Sequence, residues 1–258
     1  MPKHLKALAT SASALAVVFL MGGQAAALED GDKKSGHWAY EGSHGADHWA
    51  QLSDAFSTCE AGRLQSPFDI KADIQAELPE LGLNYSPVPL SVMNNSHTIQ
   101  VPLSGAGQLN VDGSSYDLLQ FHFHTPSEYT LDGKRYPLEL HMVHASKSGA
   151  LAVVGVMIEE GAANAELAKI WQHMPATKGE NTVEGQTIDT GKLLPTSQQY
   201  YRFMGSLTTP PCSEGVNWHM MSTPIAASAD QLAAFSAIFP MNARPLQPEN
   251  NRLVVIGK

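Results

Sequence analysis

Lysine and arginine are scarce in this chain, 16 among 258 residues against 25 aspartates and glutamates. Nucleic-acid binding needs a clustered basic surface, and this composition supplies none, so no such partner is expected. Cysteine is scarcer still: only Cys59 and Cys212 occur, so at most one intrachain bridge can form. Beyond residue 27 no apolar run is long enough to cross a bilayer. Internal repeats and linker-like stretches are also missing, which points to one large domain rather than two small ones.

The first 27 residues differ from the rest. Lys3 and Lys6 precede an apolar run from Ala7 to Met21, and Ala25-Ala26-Ala27 follow, the pattern of a cleaved signal peptide over 1–27. Residues 28–36, polar through Glu29-Asp30-Gly31-Asp32-Lys33-Lys34, read as a flexible segment, and 37–258 as the domain. Losing the leader removes two lysines and no acids, giving 14 − 25 = −11 for the mature chain. Such a chain is expected in a bacterial periplasm or secreted, where Cys59 and Cys212 should be paired. Closing so long a loop contributes up to about 5 kcal/mol in the chain-entropy description. The bridge would also pin Leu207-Thr208-Thr209-Pro210-Pro211, just ahead of Cys212, to the N-terminal part of the domain.

After about residue 60, short apolar runs alternate with Gly, Pro, Asn and Asp, which reads as mainly β. Strands are expected over 91–93, 97–102, 108–111, 116–125, 136–145, 150–159 and 216–221, the last three central because they are long and apolar. Helices should be few and peripheral. Asn164 caps one carrying Leu167, Ile170 and Trp171, and Ser228 with Gln231 forms a capping box ahead of Leu232, Phe235 and Phe239.

Histidine is the chemically telling residue. In Gln120-Phe121-His122-Phe123-His124, alternation puts both imidazoles on one face with Gln120 and turns the phenylalanines into packing. Glu139, His141 and Val143 share a face by the same parity, and Asp132-Gly133 supplies a turn signal between the two runs. Paired antiparallel, the strands would aim three neutral imidazoles at one point, the open three-ligand arrangement of catalytic zinc. A lone histidine in an aromatic strand is ordinarily core, and His144, of the wrong parity, is read that way.

Taken together, His37-Trp38-Ala39-Tyr40, Gln65-Ser66-Pro67, Asn94-Asn95-Ser96-His97, the histidine strands, Leu151-Ala152-Val153-Val154-Gly155 and Ser206-Leu207-Thr208-Thr209-Pro210-Pro211 closely resemble the alpha-class carbonic anhydrases. The resemblance implies a twisted, mostly antiparallel central sheet of about ten strands with short surface helices. It implies reversible hydration of carbon dioxide to bicarbonate by a zinc hydroxide, with one zinc ion on His122, His124 and His141. Gln120 and Glu139 resemble the partners that orient His122 and His141, and His124 should use a backbone carbonyl. Thr208 and Glu128 match the pair that aims the hydroxide, and His97 the proton shuttle, with Tyr40, Asn95 and Gln100 ordering the intervening waters. Val143, Val153, Leu207, Thr209, Val216 and Trp218 match the substrate pocket. Sulfonamide and anion inhibitors, an esterase side activity, a homodimer and cis bonds at Ser66-Pro67 and Pro210-Pro211 are implied in the same way. Tyr129 departs from the family, which commonly has histidine after the glutamate. The alternative is a catalytically silent metal- or ligand-binding member of the same fold.

Overall fold

A computed structural model describes residues 36–257; the expected leader, and all but Gly36 of the polar segment after it, lie outside the described residues. Ten strands follow one another across one twisted sheet: Gly179–Ile188, Val88–Asn94, Ile99–Pro102, Ser114–His124, Leu138–Ala145, Leu151–Glu160, Glu214–Met221, Tyr200–Ser206, Val255–Gly257 and Ile74–Ala76. Gly82–Tyr85, Gly107–Val111 and Ile225–Ala227 attach at the flanks and bring the sheet to 13 strands. Pairing is antiparallel except where Leu151–Glu160 meets Glu214–Met221 and Ile225–Ala227, and where Val255–Gly257 meets Ile74–Ala76. The three runs read as central are central. Their apolar residues on both faces need cover from both sides, which only an interior position supplies.

One face of the sheet carries the larger core. Phe121, Phe123, Leu140, Met142, Val154 and Val156 are fully buried there, each contributing roughly 1.5–3 kcal/mol relative to an exposed side chain. Both anticipated helices cover this face. Ala165–Trp171 is capped by the Asn164 side chain, which accepts from the Glu166 and Leu167 N–H groups, and Ala229–Ile238 by the reciprocal Ser228–Gln231 box. Trp171 and Phe235 stack edge-on against Phe123, with ring centroids 4.9 and 5.9 Å away. With the phenylalanines committed here, alternation sends the histidines to the opposite face.

The Asp132-Gly133 turn does not join the two histidine strands. Both residues have positive φ, 49° and 79°, and they close a small hairpin of Thr130–Leu131 with Lys134–Arg135, in a separate three-stranded sheet with Asp69–Ile70. The histidine strands still pair antiparallel, but residues 125–137 make an excursion between them. That excursion is what carries Glu128 to the site: the Glu128 and Tyr129 N–H groups donate to Glu139 Oε2 at 2.7 and 3.0 Å. Cis peptide bonds occur at Ser66-Pro67 and Pro210-Pro211, and also at Thr125-Pro126, where none was anticipated. Cys59 and Cys212 are bonded, 153 residues apart, and among the described residues no helix is long and apolar enough to span a membrane.

Candidate metal centre

Register builds the site as three rows across neighbouring strands. Gln120, Val143, Val153 and Trp218 lie opposite one another in the first, Gln100, His122, His141 and Gly155 in the second, and His124, Glu139 and Met157 in the third. All these positions share one face. The ligand nitrogens of His122, His124 and His141 come within 4.8 Å of one another, and their ring centroids are 4.6–5.4 Å apart.

Each imidazole has its outer nitrogen engaged. His122 Nδ1 meets Gln120 Oε1 at 2.9 Å, His124 Nδ1 the Asn242 carbonyl at 2.8 Å, and His141 Nε2 meets Glu139 Oε1 at 2.7 Å. Gln120 Oε1 and the Asn242 carbonyl can only accept, and Glu139 accepts when ionised; the outer nitrogens then carry the protons and the lone pairs on His122 Nε2, His124 Nε2 and His141 Nδ1 are left for a ligand. His124 Nε2 is fully buried with no hydrogen-bond partner at all. An unpartnered buried acceptor flanked by two more imidazoles is what a resident cation would satisfy, and the donor set of three neutral nitrogens fits zinc. Burial first, then mutual repulsion, holds His122 well below an ordinary histidine pKa. Burial also lowers His124 to about 4, with Glu128 opposing, and His141 to about 3. The ligands are therefore neutral without metal. Burial pushes Glu139 up to about 8 against the Tyr129 and Glu128 N–H donors, and a cation on His141 would favour its ionised form.

Glu128 is wholly buried and accepts the Arg244 N–H at 2.9 Å through Oε1. Burial raises its pKa, while His124, the Arg244 N–H and the Thr208 hydroxyl hold it down. Thr208 is thus a hydrogen-bonding neighbour of Glu128, yet Oε2 has no partner of good distance and angle, so the contact is a loose one. Thr208 sits in a tight loop held by the Leu207 N–H on the Ser213 carbonyl and the Cys212 N–H on the Thr209 carbonyl, both 2.9 Å. Val143, Val153, Leu207, Val216 and Trp218 pack into one apolar cluster, and Trp218 touches His141 edge-on at 4.9 Å.

His97 is half-buried, stacked 3.7 Å above Trp38 with the rings 8° from parallel. Desolvation first, then His37 and Lys178, lowers its pKa. The Asn95 Oδ1 accepts the His97 and Thr98 N–H groups, and its Nδ2 donates to Gln100 at 3.3 Å. The Tyr40 phenol is raised well above its ordinary value by desolvation and by Glu128. His144 lies on the core face, its Nε2 2.7 Å from the Tyr85 hydroxyl. Tyr129 is fully buried among Phe68, Phe203 and Trp218; its hydroxyl has Ser66 as neighbour but no well-formed hydrogen bond.

Two residues escaped the sequence reading. Asn242 holds His124 with its carbonyl while its side chain donates to the His97 and Phe123 carbonyls at 2.9 Å. Arg244 holds Glu128 with its N–H. Both act through main-chain atoms from a segment with no periodicity, which leaves no local signal to read.

Residues 44–257 match the family model described as eukaryotic-type carbonic anhydrase. A carbonic anhydrase of Pectobacterium carotovorum is 45% identical over 220 residues, covering 85% of this chain and 90% of that protein. Among solved structures, the Photobacterium profundum alpha-carbonic anhydrase is 47% identical with a TM-score of 0.81, covering 85% of this chain and all of that one. The alpha-carbonic anhydrase from Thermovibrio ammonificans, in complex with sulfanilamide, is 44% identical with a TM-score of 0.82, covering 85% of this chain and 99% of that one.

Proposed function

The chain belongs to the alpha-class carbonic anhydrases, and from that premise we propose that it catalyses reversible hydration of carbon dioxide to bicarbonate and a proton with one zinc ion on His122, His124 and His141. The observation that carries the proposal is the convergence of three neutral imidazoles whose outer nitrogens are occupied and whose inner nitrogens gather at one point, with His124 Nε2 buried and unpartnered among them. When bound there, zinc supplies Lewis acidity that makes water a nucleophile near neutral pH, an effect for which carbonic anhydrases are themselves the reference case.

The side chains around the triad divide the remaining work. Thr208 donates its hydroxyl hydrogen bond to Glu128, whose burial beside it leaves a carboxylate oxygen free to accept. The threonine oxygen can then only accept from the attacking water, which turns that water's lone pair toward the substrate carbon. The Thr208 backbone N–H is the donor for a substrate oxygen. Val143, Val153, Leu207, Val216 and Trp218 offer an apolar wall to a small, uncharged gas, and Thr209 follows Thr208 in the loop that flanks it. His97 takes the released proton outward along waters ordered by Tyr40, Asn95 and Gln100, and its half-buried position lets it exchange with buffer.

The same centre would hydrolyse activated esters as a side activity and take sulfonamides and small anions. A leader followed by an acidic domain with a disulfide supports export to a periplasm or the medium. Stopped-flow carbon dioxide hydration on native, chelated and zinc-restored protein, with metal analysis, is the test. Activity should vanish on chelation and return with one zinc per chain. Zinc-loaded protein that leaves hydration at the buffer rate would refute the enzyme reading and favour the silent binding module.

A further inference from the structure

Arg244 contributes more than an N–H. Only 2% exposed, its guanidinium is spent on neutral acceptors: Nη1 donates to Gln65 Oε1 at 2.9 Å and to the Ser66 carbonyl at 2.7 Å, and Nη2 to the Cys59 carbonyl at 2.8 Å. Among the described residues no carboxylate lies within ion-pair distance of it, and the charge of Glu128 reaches it only from further away. A guanidinium buried without a carboxylate in direct contact is a costly feature to keep for stability alone. Gln65, 3% exposed, extends the chain of contacts: its Nε2 donates to the Cys212 carbonyl and to Glu214 Oε1, both at 3.0 Å. Glu214 Oε1 also accepts the Leu64 N–H at 2.6 Å. A Cβ on Gly62 would stand 2.3 Å from Gln65 Nε2, 2.5 Å from Glu214 Oε1 and 2.7 Å from the Thr58 carbonyl oxygen, and because the last is backbone and cannot turn aside, only glycine fits there. Ser66 and Ser206 exchange bonds as well, the Ser66 N–H to Ser206 Oγ at 2.9 Å and the Ser206 N–H to Ser66 Oγ at 3.1 Å.

These contacts close a circuit. It runs from Glu128 through the Arg244 main chain and guanidinium to Gln65, and from Gln65 to Cys212 and Glu214, which bracket the far side of the Thr208 loop. The central sheet links Glu128, through Glu139, to Ser206 ahead of Thr208, but only across four strands, whereas the Arg244–Gln65 contacts tie the far side of the loop straight to the Glu128 carboxylate, whose own contact with Thr208 is loose. We propose that Arg244 and Gln65 are positioning residues that hold the Thr208 loop in register with the Glu128 carboxylate, through the buried hydrogen bonds joining Glu128, Arg244, Gln65 and Cys212. The inference rests on the reading of Thr208 and Glu128 as the orienting pair.

The test is a double-mutant cycle on kcat/KM for carbon dioxide hydration, with bound zinc measured in every variant. Arg244→Lys removes the fork but keeps the charge and the N–H. It should lower kcat/KM about 10- to 100-fold, the scale of a misplaced group, with zinc still at one per chain. Thr208→Ala should be slow on its own, and adding Arg244→Lys to it should change the rate less than twofold, because the pair being registered is already gone. A merely structural arginine would instead multiply its effect onto the threonine variant. Gln65→Met leaves Arg244 on Glu128, Ser66 and Cys59, and should behave the same way; it decides the matter where Arg244→Lys does not fold. Parent-like kcat/KM in a folded single variant, or full multiplication in the double, overturns the positioning role. An unimpaired Thr208→Ala protein would instead refute the orienting pair, which keeps the two failures distinct.

Discussion

Replacing Asn242 with alanine separates what its side chain does from what its main chain does. The side chain is buried and serves three backbone groups: Oδ1 accepts the Thr125 N–H at 2.6 Å, and Nδ2 donates to the His97 and Phe123 carbonyls. The Phe123 carbonyl keeps the Thr98 hydroxyl at 2.5 Å. That leaves the Thr125 N–H and the His97 carbonyl without the partner they have now. The Thr125 N–H is buried and costs about 1–3 kcal/mol when stranded, while the part-buried His97 carbonyl can be rehydrated and costs up to about 1 kcal/mol, so the variant should lose about 1–4 kcal/mol. For a domain of this size that is roughly 3–15 °C in the unfolding midpoint. The main-chain bonds survive, with the Asn242 N–H on the Thr125 carbonyl and the Asn242 carbonyl on His124 Nδ1, so the metal site should hold. Urea unfolding of the zinc-loaded protein measures the first quantity and competition with a chelator the second. A loss under about 1 kcal/mol, or a fall in zinc affinity as large as that of His124→Ala, would refute this division of labour.

Three further outcomes follow from the geometry. His97→Ala should cut maximal turnover in weak buffer on the order of 10²-fold and recover with added imidazole; in the parent, desolvation of His97 should place the turnover midpoint below the ordinary histidine pKa of about 6.5. Unchanged turnover without rescue would exclude the shuttle. Val143→Tyr, facing Gln120 and Val153, should block the apolar wall and lower hydration on the order of 10²-fold while zinc stays bound; a fully active variant would move the pocket elsewhere. His219 is buried with neither ring nitrogen well bonded, and burial, then Arg202 and His144, hold it down to about 3 against the opposing charge of Asp112. Between about 6.5 and 3 the unfolded chain binds the extra proton, so stability falls as pH falls through that window. Compared with a His219→Phe variant in zinc-free urea titrations, the parent should lose about 2 kcal/mol more between pH 7 and pH 5; parallel curves would show that His219 titrates normally.

What could be read from residues alone was whatever repeats locally. Two-residue alternation assigned Gln120, His122 and His124 to one face and the phenylalanines to the other, separated His141 from His144, and both helix caps were legible for the same reason. The turn at Asp132-Gly133 was visible as a turn, but its partner strands were not, because two residues specify a reversal and not what lies beyond it. The Tyr200–Ser206 and Gly179–Ile188 strands went unmarked, their short or polar runs acquiring strand identity only from the neighbours they pair with.

Tertiary structure alone decided the more distant supports of the triad and of Glu128. Asn242 reaches His124 across 118 residues, and Arg244 reaches Gln65 across 179. Contacts of that kind leave no spacing in the chain, since they depend on where main-chain carbonyls and N–H groups come to rest after the sheet has closed. The sequence by itself determined which imidazoles share a face, because parity is a property of the strand. Only the folded chain determined which of their nitrogens face inward, because that depends on the acceptors waiting on the other side of each ring.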